Sequence, residues 1–165
     1  MTDKEQQAQK AITKYMWWSA GAGLIPIHYV DLTAVASVQL KLLAEISEIY
    51  GVPFQRNVGK AAIAALGGFV VPHAAAYRTV GSVLKHVPVL GVLAGAPAMA
   101  LFSGAYAWAL GNLFVQHFES GGTFLSFNAE QLKEHFRRLF AQGCKVVTSI
   151  GGRIKGNAPE QPTPA

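Results

Sequence analysis

The sequence is poor in charged residues and in cysteine, and both shortages restrict the kind of protein it can encode. Charged residues make up 14% of the 165 residues, against roughly 25% in an ordinary soluble domain. This deficit favours a membrane protein or a subunit buried within a larger assembly. Because Cys144 is the single cysteine, no intrachain disulfide can form, which fits a cytoplasmic location for the polar parts. We expect Cys144 to be a small buried residue rather than a nucleophile.

The motifs that bind nucleotides are missing as well. Gly59-Lys60 is the one glycine-lysine pair, but Phe54 stands where a phosphate-binding loop needs glycine. Ala61 replaces the serine or threonine that would hold magnesium, so the loop is absent. The paired glycines lack the strand-turn-helix context of a dinucleotide fold.

Residues for acid-base or metal chemistry are scattered. No two histidines have metal-ligand spacing, and no pair of carboxylates suggests acid-base catalysis. We therefore predict a protein that is not an enzyme and holds no cofactor or metal. A ligand site assembled in space from His73, His86 or His117 is a less favoured alternative to capping or interfacial roles for these side chains.

The longest apolar feature lies between Lys85 and Glu119, where no Asp, Glu, Lys or Arg occurs. Residues 87–95 read as a loop or a short helix, and a helix over 97–118 begins at Pro97, a favourable first-turn position. That helix is just long enough for a bilayer span of roughly 20 residues. A shorter uncharged run covers 61–77, and the two runs are predicted to form a hairpin.

Small residues four apart line one side of the 97–118 helix, and such spacing allows close helix packing in lipid or in a protein core. We predict that this face packs on the 61–77 segment and is available for self-association. Its members are Ala100, Gly104, Ala107 and Gly111.

Three amphipathic helices are predicted around this hairpin. The first covers residues 1–19, and Thr2 and Glu5 have capping-box spacing. The second covers 31–50, with Lys41 and Glu45 at ion-pair spacing and a stop at Gly51. The third begins near Asn128, with Gln131 three residues on. No alternating strand pattern competes, so the fold class is all-α: a helical bundle with an apolar helical hairpin flanked by amphipathic helices. The predicted division is an N-terminal helix (1–19), a helical domain (20–150) and a disordered tail (151–165).

The net charge of +5 is concentrated near the C-terminus, where basic residues suit anionic headgroups or an acidic protein face. Nucleic acid is disfavoured because no recognised binding motif accompanies the patch. Trp17-Trp18 are typical either of a membrane interface or of a hydrophobic cap on the core. The predicted anchoring residues are Trp17, Trp18, Arg137, Arg138, Lys145 and Arg153.

Short matches along the chain give it a family resemblance. They are Ile25-Pro26-Ile27, Asp31-Leu32, Gln39-Leu40, Tyr50-Gly51, Gly59-Lys60, Ser82-Val83-Leu84-Lys85, Ala109-Leu110-Gly111, Phe118-Glu119 and Gly121-Gly122. Over residues 20–143 the chain resembles the bacterial YcjF-type family, catalogued as domain of unknown function 697. It departs from the family at Pro88-Val89-Leu90-Gly91, where relatives usually have Pro-Gly-Val-Gly.

The resemblance implies a helical, membrane-associated accessory module that works with a GTPase or a larger complex, since relatives are often fused to or encoded with small GTPase domains. Our leading hypothesis is a non-catalytic protein at the bacterial inner membrane, with its polar parts facing the cytoplasm. It would anchor or scaffold a protein partner such as a GTPase, or self-assemble as a homo-oligomer on membrane lipid. The alternative is a structural subunit whose apolar helices are buried by neighbouring chains without lipid insertion.

Overall fold

Five helices make up the part of the chain that the structure describes. The structure is a computed structural model that describes residues 2–22, 30–77 and 88–156, with side chains described over 2–22, 36–69 and 99–150. The helices are α1 (Asp3–Ala22), α2 (Val30–Tyr50), α3 (Arg56–Tyr77), α4 (Pro88–Glu119) and α5 (Ala129–Gly156), with a short 3-10 turn at Phe124–Ser126 before α5. No strand occurs in these ranges, and the predicted all-α helical bundle is confirmed.

The predicted starts of α1 and α5 are confirmed by their capping hydrogen bonds. At α1 the Thr2 amide donates to the Glu5 carboxylate (2.5 Å) and the Glu5 amide donates to the Thr2 hydroxyl (3.3 Å). These are the two reciprocal bonds of a capping box, which satisfy amides that the first turn leaves unpaired. At α5 the Gln131 amide donates to the Asn128 side-chain oxygen (3.2 Å), so Asn128 is the N-cap.

Two glycines end helices in the left-handed backbone conformation. Gly51 follows α2 with φ 72° and Gly121 follows α4 with φ 83°, a region that residues with a Cβ enter only at a steric cost. In each case the next amide donates to the carbonyl five positions back, from Val52 to Ser47 (2.8 Å) and from Gly122 to His117 (2.9 Å). This Schellman arrangement pairs carbonyls that a helix end would otherwise leave free.

Helix α4 is the centre of the bundle. It packs most extensively on α1 and α5, and next on α2. Its buried residues include Ala105, Leu110, Leu113 and Phe114, all almost inaccessible to solvent. Because α4 is apolar on nearly every side, it can be covered by several helices at once.

Helix α1 runs antiparallel to α4, as the contacts between them show. Ile12 of α1 lies against Gly111 and Ala20 against Gly104, while Val147 of α5 also reaches Gly104. Lys14 of α1 forms an ion pair with Glu45 of α2 (2.7 Å). A pair of half-buried amide side chains helps to fix the position of α1 along α4. The Gln9 side chain donates a hydrogen bond to Asn112 (3.0 Å), which in turn donates to the Trp108 carbonyl (2.8 Å).

The predicted start of α4 is wrong. The helix begins at Pro88, so Pro97 lies inside it and residues 88–95 belong to the same helix rather than to a loop or a separate short helix. An interior proline removes a single amide donor, at a cost of about 3 kcal/mol. The remaining backbone bonds keep the helix continuous, because helix propensity is a weak preference that the rest of the structure can override. Helix α3 begins at Arg56, five residues before the uncharged run over 61–77.

Two predicted pairings are also wrong. The small-residue face of α4 meets α1 rather than the 61–77 segment, and α3 touches α4 only lightly while it packs on α5 and α2. A polar contact joins α3 to α4, in which the Tyr106 hydroxyl donates to the Ile63 carbonyl (2.6 Å). Glu45 pairs with Lys14 of the adjacent helix α1 instead of Lys41, a contact between helices that spacing within α2 does not reveal.

Candidate functional site

The predicted small-residue face lies inside the bundle. A Cβ added to Gly111 would meet Ile12 Cγ1 at 2.5 Å, and one added to Gly104 would meet Ala20 Cβ and Val147 Cγ2 at 3.3 Å. Ala107 is fully buried and Ala100 is half-buried. The two glycines therefore let α1 approach α4 closely, and α1 of the same chain already covers the surface that was expected to be available for self-association.

A second close approach, between α4 and α5, was missed by the sequence reasoning. A Cβ on Gly143 would stand 2.7 Å from the Ala105 carbonyl oxygen, so the two backbones nearly touch. The signal for it was present, since Gly143 continues the apolar stripe of Phe136 and Phe140 at helical spacing. A glycine on the buried stripe of a helix indicates a place where another backbone comes near.

Trp17 and Trp18 stand on the last turns of α1 and are largely outside the core. Trp17 is 36% exposed and Trp18 is 61% exposed, and the Trp18 ring lies 6.5 Å from that of Tyr15. The flanking residues Met16 and Ala20 are buried against α4. The core thus fixes the helix that carries the two indoles while their faces remain accessible.

The predicted basic anchoring residues are in different environments. Arg137 is engaged within the bundle, because its Nε donates to the Phe69 carbonyl (3.3 Å) and its guanidinium pairs with Glu134. Arg138 and Lys145 are exposed, and neither forms an ion pair with a described residue. Arg153 lies in α5, and its side chain is outside the described residues.

The histidines that the structure describes have structural contacts. His117 Nε2 donates a hydrogen bond to the Thr123 carbonyl (3.0 Å), close to Gly122, and His135 Nε2 lies 2.6 Å from the Gln116 amide oxygen. His86 and the side chain of His73 lie outside the described residues. Within those residues no group of three or more His, Cys, Asp or Glu is arranged to hold a metal ion.

An open cleft of about 530 Å³ lies between α1 and α2. Lys10, Lys14, Glu45 and Glu48 line it. Glu45 is already paired with Lys14, and the cleft is open to water, so it does not isolate a carboxylate for acid-base work. Burial raises the pKa of the Tyr15 hydroxyl to about 12, with a further contribution from Glu45, and burial also raises the pKa of the Cys144 thiol. A thiol that stays protonated is a poor nucleophile.

Aromatic rings fill the end of the bundle at which α4 ends. Phe114 stacks on Phe127 (4.6 Å between centroids) and contacts Phe118 and Phe124. Two apolar side chains next to this cluster are turned outward, since Leu125 is 78% exposed and Phe54, edge-on to Phe124, is 37% exposed. Neither was identified from the sequence, where a single leucine in a loop gives no signal.

No helix, within the ranges that the structure describes, combines the length and apolarity needed to cross a membrane. Comparison with solved structures gives no match. Among curated proteins, the chain is similar to magnetosome membrane protein 22 of Magnetospirillum gryphiswaldense, with 28% identity over 151 residues that cover 92% of this chain and 77% of that protein. Residues 1–144 match the family described as domain of unknown function (DUF697). The predicted relationship is therefore confirmed, and the chain belongs to the DUF697 family.

Proposed function

We propose that this protein is a non-catalytic, membrane-associated helical accessory or scaffold protein. The observation that carries the proposal is its likeness, over 92% of its length, to a protein named as a magnetosome membrane protein. The exposed pair Trp17-Trp18 supports it, because indole rings favour the boundary between headgroups and acyl chains. The basic residues at the C-terminal end, among them Arg138, Lys145 and Arg153, add electrostatic attraction to an anionic surface.

The accessory role is the finer part of the proposal. The protein would anchor or regulate a protein partner such as a GTPase at the bacterial inner membrane, with its polar parts facing the cytoplasm. Any nucleotide chemistry would then belong to the partner. Self-assembly on the membrane is another form of the same role. It would use a surface other than the Gly104–Gly111 face, because α1 already contacts both glycines.

Membrane flotation tests the location. The full chain, expressed in bacteria, should float with membranes on a density gradient, and protein that stays at the bottom would contradict the proposal. Extraction of the floated fraction with alkaline carbonate then separates two modes of attachment. Retention supports insertion of apolar segments, whereas release shows docking from the surface.

A native pull-down with mass spectrometry tests the role, since a scaffold should bring down a reproducible partner.

The exposed side chains of Leu125 and Phe54 favour a second candidate function. In this alternative the chain is a structural subunit whose apolar surfaces are covered by neighbouring chains, without lipid. The two residues are outward-facing and flank Phe124, as a protein contact would require. This candidate predicts a stable complex in detergent-free solution that gives a sharp size-exclusion peak. Leu125→Ser with Phe54→Ser should dissociate that complex, whereas Trp18→Ser should leave it intact.

A further inference from the structure

The hydroxyl of Ser19 differs from other hydroxyl groups on the helices. Thr13, Ser47 and Thr148 each donate a hydrogen bond to a carbonyl of their own helix, at 2.9, 2.7 and 2.8 Å, as such side chains commonly do. Ser19 of α1 is fully buried, yet its Oγ has no hydrogen-bond partner among the residues that the structure describes. Buried polar atoms are normally paired, with protein or with bound water, so this hydroxyl indicates a site for a ligand.

A second buried hydroxyl lies at the height of Ser19. Helix α1 packs on α2 and α4 and on no other described element, so these two helices cover its buried side. Ser103 of α4 is 1% exposed and precedes Gly104, which lies against Ala20, the residue after Ser19. The two serines are therefore each one residue away from a direct contact between α1 and α4.

The direction of α2 gives the height of a third polar side chain. The last residue of α2 meets the last residue of α4, because the Tyr50 hydroxyl donates to the Glu119 carboxylate (2.7 Å). Since α1 runs antiparallel to α4, it also runs antiparallel to α2. The ion pair between Lys14 and Glu45 (2.7 Å) marks one height that these two helices share.

Gln39 of α2 lies close to the height of Ser19. Counted from the ion pair, Ser19 is five residues after Lys14, and Gln39 is six residues before Glu45. In antiparallel helices these steps run the same way, over about 7.5 Å and about 9 Å. Gln39 is 4% exposed, so its side chain also faces the interior. We call the three residues Ser19, Gln39 and Ser103 the polar layer, because three helices each bury one of them.

The chemistry of the polar layer suits a small neutral molecule. Each hydroxyl can donate one hydrogen bond and accept two, and the carboxamide of Gln39 can both donate and accept. None of the three side chains carries a charge that would favour an ion. A buried water molecule typically makes about three hydrogen bonds to such groups. Elsewhere in the core α2 and α4 bury leucines, such as Leu42 and Leu110, whereas serines occupy less volume.

We propose that the polar layer binds one water molecule inside the bundle, and that this water joins α1, α2 and α4. The hydroxyls of Ser19 and Ser103 and the carboxamide of Gln39 supply its hydrogen bonds. The water would hold the last turns of α1, which carry Trp17 and Trp18, against the other two helices. The inference concerns the interior of the protein and does not depend on membrane association.

The sign of one substitution tests the proposal. Ser19→Ala removes a partner of the bound water and should raise the equilibrium constant of unfolding about fivefold. If the hydroxyl had no partner at all, the same change would remove an unpaired buried atom and should lower that constant. Denaturation in urea, followed by circular dichroism, measures the constant and confirms that the variant is helical.

A double variant tests whether the two serines share one ligand. Ser103→Ala should also raise the unfolding constant about fivefold, and Ser19→Ala/Ser103→Ala should raise it by less than about tenfold, because either change releases the same water. Independent sites would multiply to about 25-fold. Ser47→Ala is the matched control, since its buried hydroxyl bonds to the Ala44 carbonyl of its own helix. Its effect should multiply with that of Ser19→Ala.

Nuclear magnetic resonance detects the water directly. In the isotope-labelled full chain, the side-chain amide protons of Gln39 should show cross-relaxation with a long-lived water. The signal should disappear in Ser19→Ala/Ser103→Ala and persist in Ser47→Ala.

Three results would each overturn the proposal. The first is a Ser19→Ala variant that is as stable as the wild type or more stable. The second is independent, multiplying effects of the two serine substitutions. The third is a destabilised Ser19→Ala variant with no water signal at Gln39 in the wild type, because the hydroxyl would then bond directly to the protein.

Discussion

At the scale of single residues, the close helix contacts depend on the absence of a side chain at particular positions. Gly143 and Gly68 are both inside helices, yet their surroundings differ. A Cβ on Gly143 would stand 2.7 Å from the Ala105 carbonyl oxygen, whereas a Cβ on Gly68 has no neighbour within 4 Å. A backbone atom cannot turn away as a side chain can, so the first position requires glycine and the second does not.

Gly143→Ala should therefore lower the free energy of unfolding by about 1–3 kcal/mol, because α5 must move away from α4. The matched change Gly68→Ala removes conformational freedom from the unfolded chain without a clash, and it should raise the free energy of unfolding by about 0.5–1 kcal/mol. Denaturation in urea, followed by circular dichroism, measures both. Equal effects of the two substitutions would contradict the close α4–α5 approach.

Tyr50 gives a pH-dependent prediction. Burial, followed by the Glu119 carboxylate that accepts its hydrogen bond (2.7 Å), raises the pKa of the Tyr50 hydroxyl well above its usual 10.0. Because the folded pKa lies above the unfolded one, the stabilising contribution is complete below pH 10 and is lost as the pH rises through the folded pKa. Tyr50→Phe should be less stable than wild type at pH 8, and this difference should shrink above pH 10. A difference that is constant from pH 8 to pH 11 would disagree with this account.

At the scale of helices, the sequence predicts where a helix begins and ends better than it predicts which helices pack against each other. The Thr2–Glu5 and Asn128–Gln131 caps lie three residues apart, and Gly51 stops α2 by its own backbone conformation. Such local patterns can be read from the chain. The helices that pack on α4 could not be predicted in this way, because a helix that is apolar on nearly every side has no apolar stripe to indicate which neighbour covers it.

The basic site residues show the same limit. Arg137 and Arg138 are adjacent in the sequence, and both were predicted to anchor the protein. The fold separates them, since Arg137 reaches the Phe69 carbonyl of α3 while Arg138 remains exposed. A contact between residues far apart in the sequence leaves no trace in local spacing, so nothing in the pattern around 137 and 138 distinguished them.

This pair gives a prediction at the helix scale. Arg137→Gln should weaken the α3–α5 contact and lower the free energy of unfolding by about 1 kcal/mol, because the Phe69 carbonyl loses a charged donor. Arg138→Gln should change it by less than about 0.5 kcal/mol. Hydrogen exchange of the α3 amides should accelerate in the first variant and not in the second. Faster exchange in both variants would argue against a specific role for Arg137.

At the scale of the whole molecule, the proposed membrane association predicts a dependence on salt. Exposed lysines such as Lys145 would attract anionic lipid over a screening length of about 10 Å at 0.1 M salt, which falls to about 3 Å at 1 M. Affinity for vesicles with one-third phosphatidylglycerol should fall over this range. The weaker binding to neutral vesicles, which depends on the indoles, should stay nearly constant. If added salt left anionic and neutral binding equally unchanged, the lysines would have no part in the attachment.

The close approach of Ile12 to Gly111, together with the Gln9–Asn112 hydrogen bond, has a consequence for depth. Both contacts hold α1 at one register along α4, and a slip by a single turn would shift Trp17 and Trp18 by about 5.4 Å. The boundary layer that receives an interfacial side chain is only about 5–10 Å deep. Gly111, in the interior of the bundle, therefore helps to determine how far the two indoles could reach into a membrane.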